Sequence, residues 1–143
     1  MPIKTIVRHK VLVVDESRCH ACQSCMVACS LVHEGQVIPS LARIQVQFDP
    51  FTGRQRILYC RQCKRAACAR ACPRGAIQFV EQGGYWALDE SLCDGCGACA
   101  QVCPFHAMIW SPADHRALKC DTCQGDPACV ASCPNHALTW EDK

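Results

Sequence analysis

Sixteen cysteines fall into four groups of four, and no other feature constrains the chain as strongly. The first group is Cys19, Cys22, Cys25 and Cys29, and the third is Cys93, Cys96, Cys99 and Cys103. In both, three cysteines stand two residues apart and a fourth follows after three residues. The second group, Cys60, Cys63, Cys68 and Cys72, widens its middle gap to four residues. The fourth, Cys120, Cys123, Cys129 and Cys133, widens it to five. The last gap never changes. Such repetition predicts a body built by copying one unit around whatever the cysteines bind.

Three of the groups also continue alike. Cys72-Pro73-Arg74-Gly75-Ala76-Ile77-Gln78-Phe79 matches Cys103-Pro104-Phe105-His106-Ala107-Met108-Ile109-Trp110, and both match Cys133-Pro134-Asn135-His136-Ala137-Leu138-Thr139-Trp140. Proline after the last cysteine cannot continue a helix and turns the chain away. The alanine and the alternating apolar residues then predict a short strand laid against the bound group. The first group departs from this rule. Cys29 runs on into Ser30-Leu31-Val32-His33-Glu34, with neither the proline nor the strand.

Cysteine supplies sixteen of 143 residues, above the roughly 8–10% that marks a chain organised by disulfides or metals. Aromatic residues make up 6%, and much of the 50% apolar count is cysteine itself, so a conventional core would be thin. Disulfides, zinc and iron–sulfur clusters compete for these thiols. Met1-Pro2-Ile3-Lys4-Thr5 leads to Arg8-His9-Lys10 without an apolar signal region, a twin-arginine pair or a cleavage site. Apolar runs such as Val11-Leu12-Val13-Val14 are far too short to span a bilayer. These features predict a cytoplasmic protein with reduced thiols and no membrane insertion, which counts against disulfides.

Zinc sites of four cysteines usually use two well-separated C-x2-C pairs. A triplet with a fourth cysteine and a proline is the ligand spacing of 4Fe–4S clusters instead. A cubane needs thiolates from four directions. Three closely spaced cysteines on a tight loop can wrap one cluster, while the fourth points away and, in two-cluster ferredoxins, ligates the neighbour. Four 4Fe–4S clusters are therefore expected. The formal charge of +2 counts side chains alone. Sixteen thiolates on four cores of roughly +2 each add about −8, leaving roughly −6 overall. The basic residues offset buried anionic clusters, and nucleic-acid binding gains no support from them.

The spacing leaves two pairings of the groups open. Groups two and three are joined by residues 73–92, with strands over 77–80 and 85–88 around a Gly83-Gly84 turn, a hairpin of the kind that joins ferredoxin halves. Pairing two with three leaves one with four, a nested arrangement. The rival pairs one with two and three with four. Residues 30–59 favour nesting, since they carry a hairpin of their own, strands 43–48 and 54–59 around Asp49-Pro50-Phe51-Thr52-Gly53.

The four-group pattern, with Cys120-Asp121-Thr122-Cys123-Gln124-Gly125-Asp126-Pro127-Ala128-Cys129-Val130 closing it, resembles the four-cluster electron-transfer subunits of molybdenum and tungsten oxidoreductases, the family of the dimethyl-sulfoxide reductase β-subunit. The resemblance implies nested ligation. One cluster would sit on Cys19, Cys22, Cys25 and Cys133, and its neighbour on Cys120, Cys123, Cys129 and Cys29. The inner two would sit on Cys60, Cys63, Cys68 and Cys103, and on Cys93, Cys96, Cys99 and Cys72. It also implies a non-catalytic chain passing electrons between a catalytic subunit and a second redox partner. The stretch Ala28-Cys29-Ser30-Leu31-Val32-His33-Glu34-Gly35, with Pro39-Ser40-Leu41-Ala42-Arg43-Ile44, is similar to small polyferredoxin subunits of tungsten aldehyde oxidoreductases. Alternatives are a subunit of a hydrogenase or carbon-monoxide dehydrogenase, a free polyferredoxin and, more distantly, a zinc-binding interaction module. One departure is the wide gap of group two, Lys64-Arg65-Ala66-Ala67, where the family often has a proline pair.

Group two lies in the most basic region, and Arg61, Lys64, Arg65, Arg70 and Arg74 are candidates for docking an acidic partner. Trp110 and Trp140 hold equivalent repeat positions and are expected to close apolar pockets over clusters. His20, His106 and His136 are expected at the surface, with His20 placed to reach a cluster sulfur. No P-loop, dinucleotide-binding glycine pattern or C-x-x-C-H haem site occurs. The expected fold is α+β, two bacterial-ferredoxin-like dicluster modules related by a pseudo-twofold axis, with short strands and helices around four clusters. The inner module covers about 54–115, the outer about 1–35 plus 116–143, and 36–53 form a linker and hairpin. End-to-end self-association of such chains is a further expectation.

Overall fold

The computed structural model describes residues 10–81, 84–111 and 116–142. The N-terminal stretch 1–9 and Gly83 of the expected Gly83-Gly84 turn lie outside the described residues. The chain runs β1 (Lys10–Val14), α1 (Ser24–Glu34), β2 (Gln45–Asp49), β3 (Arg54–Leu58), α2 (Ala67–Ala71), β4 (Ile77–Val80) and β5 (Tyr85–Leu88). It continues with α3 (Ala98–Val102), β6 (Ile109–Ser111), β7 (Arg116–Leu118), α4 (Ala128–Ser132) and β8 (Leu138–Asp142). Short 3-10 turns occupy Glu16–Arg18, Pro39–Leu41 and Thr122–Gly125. The result is a small α+β fold of two ferredoxin-like dicluster halves.

Proline placement sets the helix lengths. The helices α2, α3 and α4 each stop after five residues, at Cys72, Cys103 and Cys133, because a proline follows each of these cysteines. No proline follows Cys29, so α1 runs for eleven residues and ends at Gly35. Gly35 sits at φ 71°, and its N–H bonds to the Leu31 carbonyl, a left-handed cap that suits glycine. Helix α1 packs on α4, and α2 packs on α3. The helix of group one thus meets that of group four, and the helix of group two meets that of group three.

Every described strand has one partner, in antiparallel pairs β1–β8, β2–β3, β4–β5 and β6–β7. Strands β4 and β5 fall where the hairpin between groups two and three was expected, with Ile77 opposite Leu88. β1 and β8 bring residues near the two ends of the chain together, setting Leu12 opposite Trp140 and Val14 opposite Leu138. The expected strand 43–48 begins two residues late, at Gln45, and the expected 54–59 ends at Leu58. The reason for the late start is Arg43. Its backbone N–H goes to Cys29 Sγ at 3.1 Å, and its guanidinium goes to Glu34, so it has left the strand ladder.

The strand that group one lacked is therefore delayed, not absent. β2 comes after the longer α1 and buries Val46, with Ile44 just ahead of it. Two small cores result. One gathers Leu12, Met26, Ile44, Ile57 and Leu138 with Cys25, Cys29 and Cys129; the other gathers Ile77, Met108 and Ala117 with Cys99. Cysteines stand in both.

A four-residue charge network ties α1 to the middle of the chain. Glu34 accepts from Arg43 Nη1 at 2.8 Å and from Arg116 Nη2 at 2.9 Å, while Glu90 accepts from Arg116 Nη1 at 2.8 Å and faces Arg43 Nη2 at 3.5 Å. Burial pushes the Glu34 carboxyl up, but the hydrogen bonds from both arginines outweigh it and hold the group below its ordinary value. Among the described residues, no helix is long and apolar enough to cross a membrane.

Candidate metal centres

None of the sixteen cysteines is joined in a disulfide. Cys19, Cys22, Cys25 and Cys133 line one cavity, walled by Val46, Ile57, Ala137 and Leu138. Cys29, Cys120, Cys123 and Cys129 line a second beneath Trp140, with Cys60 at its edge. Cys60, Cys63, Cys68 and Cys103 line a third against Trp86 and Phe105. For the remaining set, Cys99 is buried with the thiols of Cys93 and Cys72 close enough to repel its ionised form. Cys96 is exposed on the loop between Cys93 and α3.

Contacts between these gatherings follow one order. Helix α1 of group one packs on α4 of group four, Cys60 of group two edges the cavity of the group-four cysteines, and α2 of group two packs on α3 of group three. Groups one, four, two and three thus succeed each other in space. Cys22 and Cys96 are the two exposed cysteines; Cys22 lines the first cavity, and Cys96 belongs in sequence to group three, at the other end of the order.

The acidities of the thiols test what such cavities can hold. Burial pushes Cys25 up to about 11 and Cys129 up to about 12, and neighbouring thiolates add to both rises. Burial and its neighbours take Cys99 to about 11, and Cys120 goes higher still. Burial also raises Cys29, Cys68 and Cys123. Cys22 moves the other way, because Ser24 hydrogen-bonds its sulfur. Metal ligands are thiolates. Buried thiols that resist ionising become ligands only around a cationic centre, and binding then releases their protons.

Backbone N–H groups are turned to the sulfurs as an anionic cluster requires. Ala21 N–H donates to Cys19 Sγ at 3.4 Å and Thr122 N–H to Cys120 Sγ at 3.3 Å. The repeated C-P-x-x-A sequence does the same work. Ala76 N–H donates to Cys72 Sγ and Ala107 N–H to Cys103 Sγ, both at 3.4 Å. In group one the delayed Arg43 N–H takes over this role at Cys29. Ala76, Ala107 and Ala137 are at most 2% exposed, so a larger side chain would overpack there. An all-thiol donor set with N–H groups aimed at sulfur fits iron–sulfur clusters.

The second residue of each x-x pair turns the chain. Gly75 (φ 61°), His106 (φ 53°) and His136 (φ 53°) all occupy the left-handed region there. Glycine adopts it freely and histidine more readily than most other side chains. His106 and His136 are exposed, as expected, and so is His20. The histidine that reaches a cysteine is one the sequence reading did not single out. His33 Nε2 lies 3.5 Å from Cys123 Sγ and 3.7 Å from Asp121 Oδ1. Trp140 and Trp110 are half-buried, packed against the first and second cores.

Of the basic docking candidates, Lys64, Arg65 and Arg70 are exposed. Arg61 is also exposed but lies 4.6 Å from the rings of both Tyr59 and Phe105, while Arg74 pairs with Asp94 at 3.1 Å. Two further residues went unnoticed in the sequence. Trp86 Nε1 bonds to the Cys63 carbonyl at 2.9 Å. Lys119 Nζ bonds to Cys60 Sγ at 3.3 Å. The one signal available for Lys119 was its place directly before Cys120.

Comparison with known proteins agrees with this chemistry. Residues 59–107 and 85–134 each match a 4Fe–4S dicluster domain, and residues 16–32 match a 4Fe–4S binding domain. The chain is 35% identical over 119 residues to the thiosulfate reductase electron transfer subunit PhsB of Salmonella typhi, covering 78% of this chain and 60% of that protein. It is 34% identical over 125 residues to the putative electron transport protein YsaA of Escherichia coli, covering 79% of this chain and 75% of that one. The chain spans about half the length of several other curated relatives it matches. In fold it is similar to a chain of the active site complex BamBC of benzoyl coenzyme A reductase, with a TM-score of 0.58 and 26% identity over 94% of this chain and 79% of that chain. With its sixteen cysteines gathered in this way, the chain carries multiple 4Fe–4S clusters and belongs to the 4Fe–4S dicluster ferredoxin family of electron-transfer proteins.

Proposed function

We propose that this chain is the non-catalytic electron-transfer subunit of an oxidoreductase complex, with four clusters in the spatial order of groups one, four, two and three. The observation that carries the reading is the packing of the gatherings in a row, with the two exposed cysteines, Cys22 and Cys96, in the groups at its ends. The ligand sets are Cys19, Cys22, Cys25 and Cys133; Cys29, Cys120, Cys123 and Cys129; Cys60, Cys63, Cys68 and Cys103; and Cys72, Cys93, Cys96 and Cys99. Groups one and four form the outer module, about 1–35 with 116–143, and groups two and three the inner module, about 54–115. When bound, such clusters supply one-electron redox centres. The chain's own part is to hold the sulfurs, direct N–H groups at them, and keep water from the two interior sites. Cys22 and Cys96 mark the faces where partners dock.

A tungsten or molybdenum oxidoreductase subunit of the aldehyde-oxidising kind is the proposed catalytic partner, at one end, with a second redox carrier at the other. Likeness to a reductase electron-transfer subunit and to an active-site complex supports membership of such an assembly. Sixteen thiols awaiting clusters suit the reducing cytoplasm. Anaerobic purification tests the reading. About sixteen iron atoms per chain with matching sulfide, and a co-purifying pterin-containing partner, are expected; a colourless chain holding only zinc would end it.

Arg70 on α2 and Lys64 and Arg65 just before it form a basic face for an acidic partner at the Cys96 end. Reversing Arg65 and Arg70 to glutamate should slow electron exchange with that partner by roughly tenfold or more at low salt, an effect that fades as salt rises. Equal rates for variant and native chain, measured by stopped flow, would remove this face from the proposal.

A further inference from the structure

Lys119 is 6% exposed, at the junction of the two halves. Its Nζ donates to Cys60 Sγ at 3.3 Å, the Cys120 carbonyl at 3.0 Å and the Trp86 carbonyl at 3.2 Å. Among the described residues, no carboxylate lies within ion-pair distance of it. Arg43, also a buried cation, is by contrast held by Glu34 and Glu90. Burying an ammonium without a counter-charge is strongly unfavourable, and a neutral thiol is only a weak acceptor. The position makes sense once Cys60 carries negative charge as a ligand of an anionic cluster.

The surroundings are built to hold this amine in place. Gln62 bridges the same seam, donating to the Cys120 carbonyl at 2.8 Å and accepting from Trp86 N–H at 2.6 Å. Cys60 and Cys120 stand in different gatherings, the two in the middle of the row. A cation between them favours the more negative, reduced form of both neighbours, and a hydrogen bond to sulfur acts in the same direction. Surface arginines cannot do this as strongly, because water screens them.

We propose that Lys119 is a positioning charge that raises the reduction potentials of the two interior clusters above those of the ends, most strongly for the cluster ligated by Cys60. An electron arriving from a docked donor then rests in the middle of the chain. The step is the gain of one electron by one cluster from its neighbour, with no bond made or broken and no proton required. This inference rests on the ligand assignment proposed above.

The test is a potentiometric titration of the iron-loaded protein followed by electron paramagnetic resonance, with iron and sulfide measured first. In Lys119→Gln, reduction of the Cys60 cluster should become at least tenfold less favourable, about 59 mV for one electron. The other interior cluster should shift less and the end clusters not at all, whereas Lys119→Arg, which keeps the charge, should stay within about threefold of the native chain. In the native protein, isotope-labelled lysine nitrogen should couple to the reduced cluster signal, a readout that needs no variant to fold. Full iron loading with four unchanged potentials, an equal shift of all four, or no nitrogen coupling overturns the role of Lys119 and leaves the cluster reading standing. A native chain without iron and sulfide overturns both.

Discussion

Stripping iron from the loaded protein is expected to unfold it. Far-ultraviolet circular dichroism should lose most of its signal after chelation under reducing conditions, and limited proteolysis should then digest the chain throughout. Among the described residues, three of the four α-helices have five residues, far below the roughly 12–15 at which an isolated helix becomes even marginal. The described strands form two-stranded pairs only, and a lone hairpin is marginal in water. Cys25, Cys29, Cys99 and Cys129 are themselves buried core residues. Structural zinc contributes about 10–16 kcal/mol per site in small domains, against a total stability of about 5–15 kcal/mol for an ordinary domain. Losing several clusters should therefore leave nothing to hold the halves. An iron-free chain with native dichroism and protease resistance would show that the apolar cores suffice alone.

Cross-ligation should show in iron counts as a failure of additivity. Cys22→Ala and Cys133→Ala lie 111 positions apart, yet each should remove the same end cluster, about four iron atoms of about sixteen. The double variant should lose no more than either single one. Combining Cys133→Ala with Cys96→Ala should instead remove about eight, since those two serve opposite ends of the row. Independent sites add and shared sites do not. Consecutive pairing of the groups predicts the reverse, because Cys133 would then share a cluster with Cys96. The Cys22 and Cys133 variants should also break electron exchange at that end while the other clusters still titrate. Additive iron loss in the Cys22/Cys133 pair would refute nested ligation.

Much of the fold could be read from spacing because the repeat has a local cause. A cysteine followed by proline must end a helix, so the three helix stops were legible, and the hairpin β4–β5 lies where its apolar runs around the Gly83-Gly84 pair put it. Group one was harder. Without proline at position 30, α1 runs on past Cys29, and the N–H that serves Cys29 arrives fourteen residues later from Arg43. No local pattern encodes that donor. The same holds for His33 beside Cys123 and for the network of Glu34, Arg43, Glu90 and Arg116, whose members are scattered over more than eighty positions. Alanine in C-P-x-x-A was visible as a pattern, but its reason, an N–H aimed at sulfur from a site with no room for a side chain, needed coordinates.

The four cysteine groups announced from sequence alone that this chain binds clusters, since the spacing of thiols along a tight loop is a covalent matter. The sequence also determined where helices stop, because proline lacks the N–H that a helix needs. Which gathering neighbours which, and that Cys22 and Cys96 face solvent at opposite ends of the row, was decided only by tertiary packing of α1 on α4 and α2 on α3. The place of Lys119 was decided in the same way. An amine acquires its significance from what surrounds it, and its neighbours Cys60 and Trp86 come from chain segments 59 and 33 residues away.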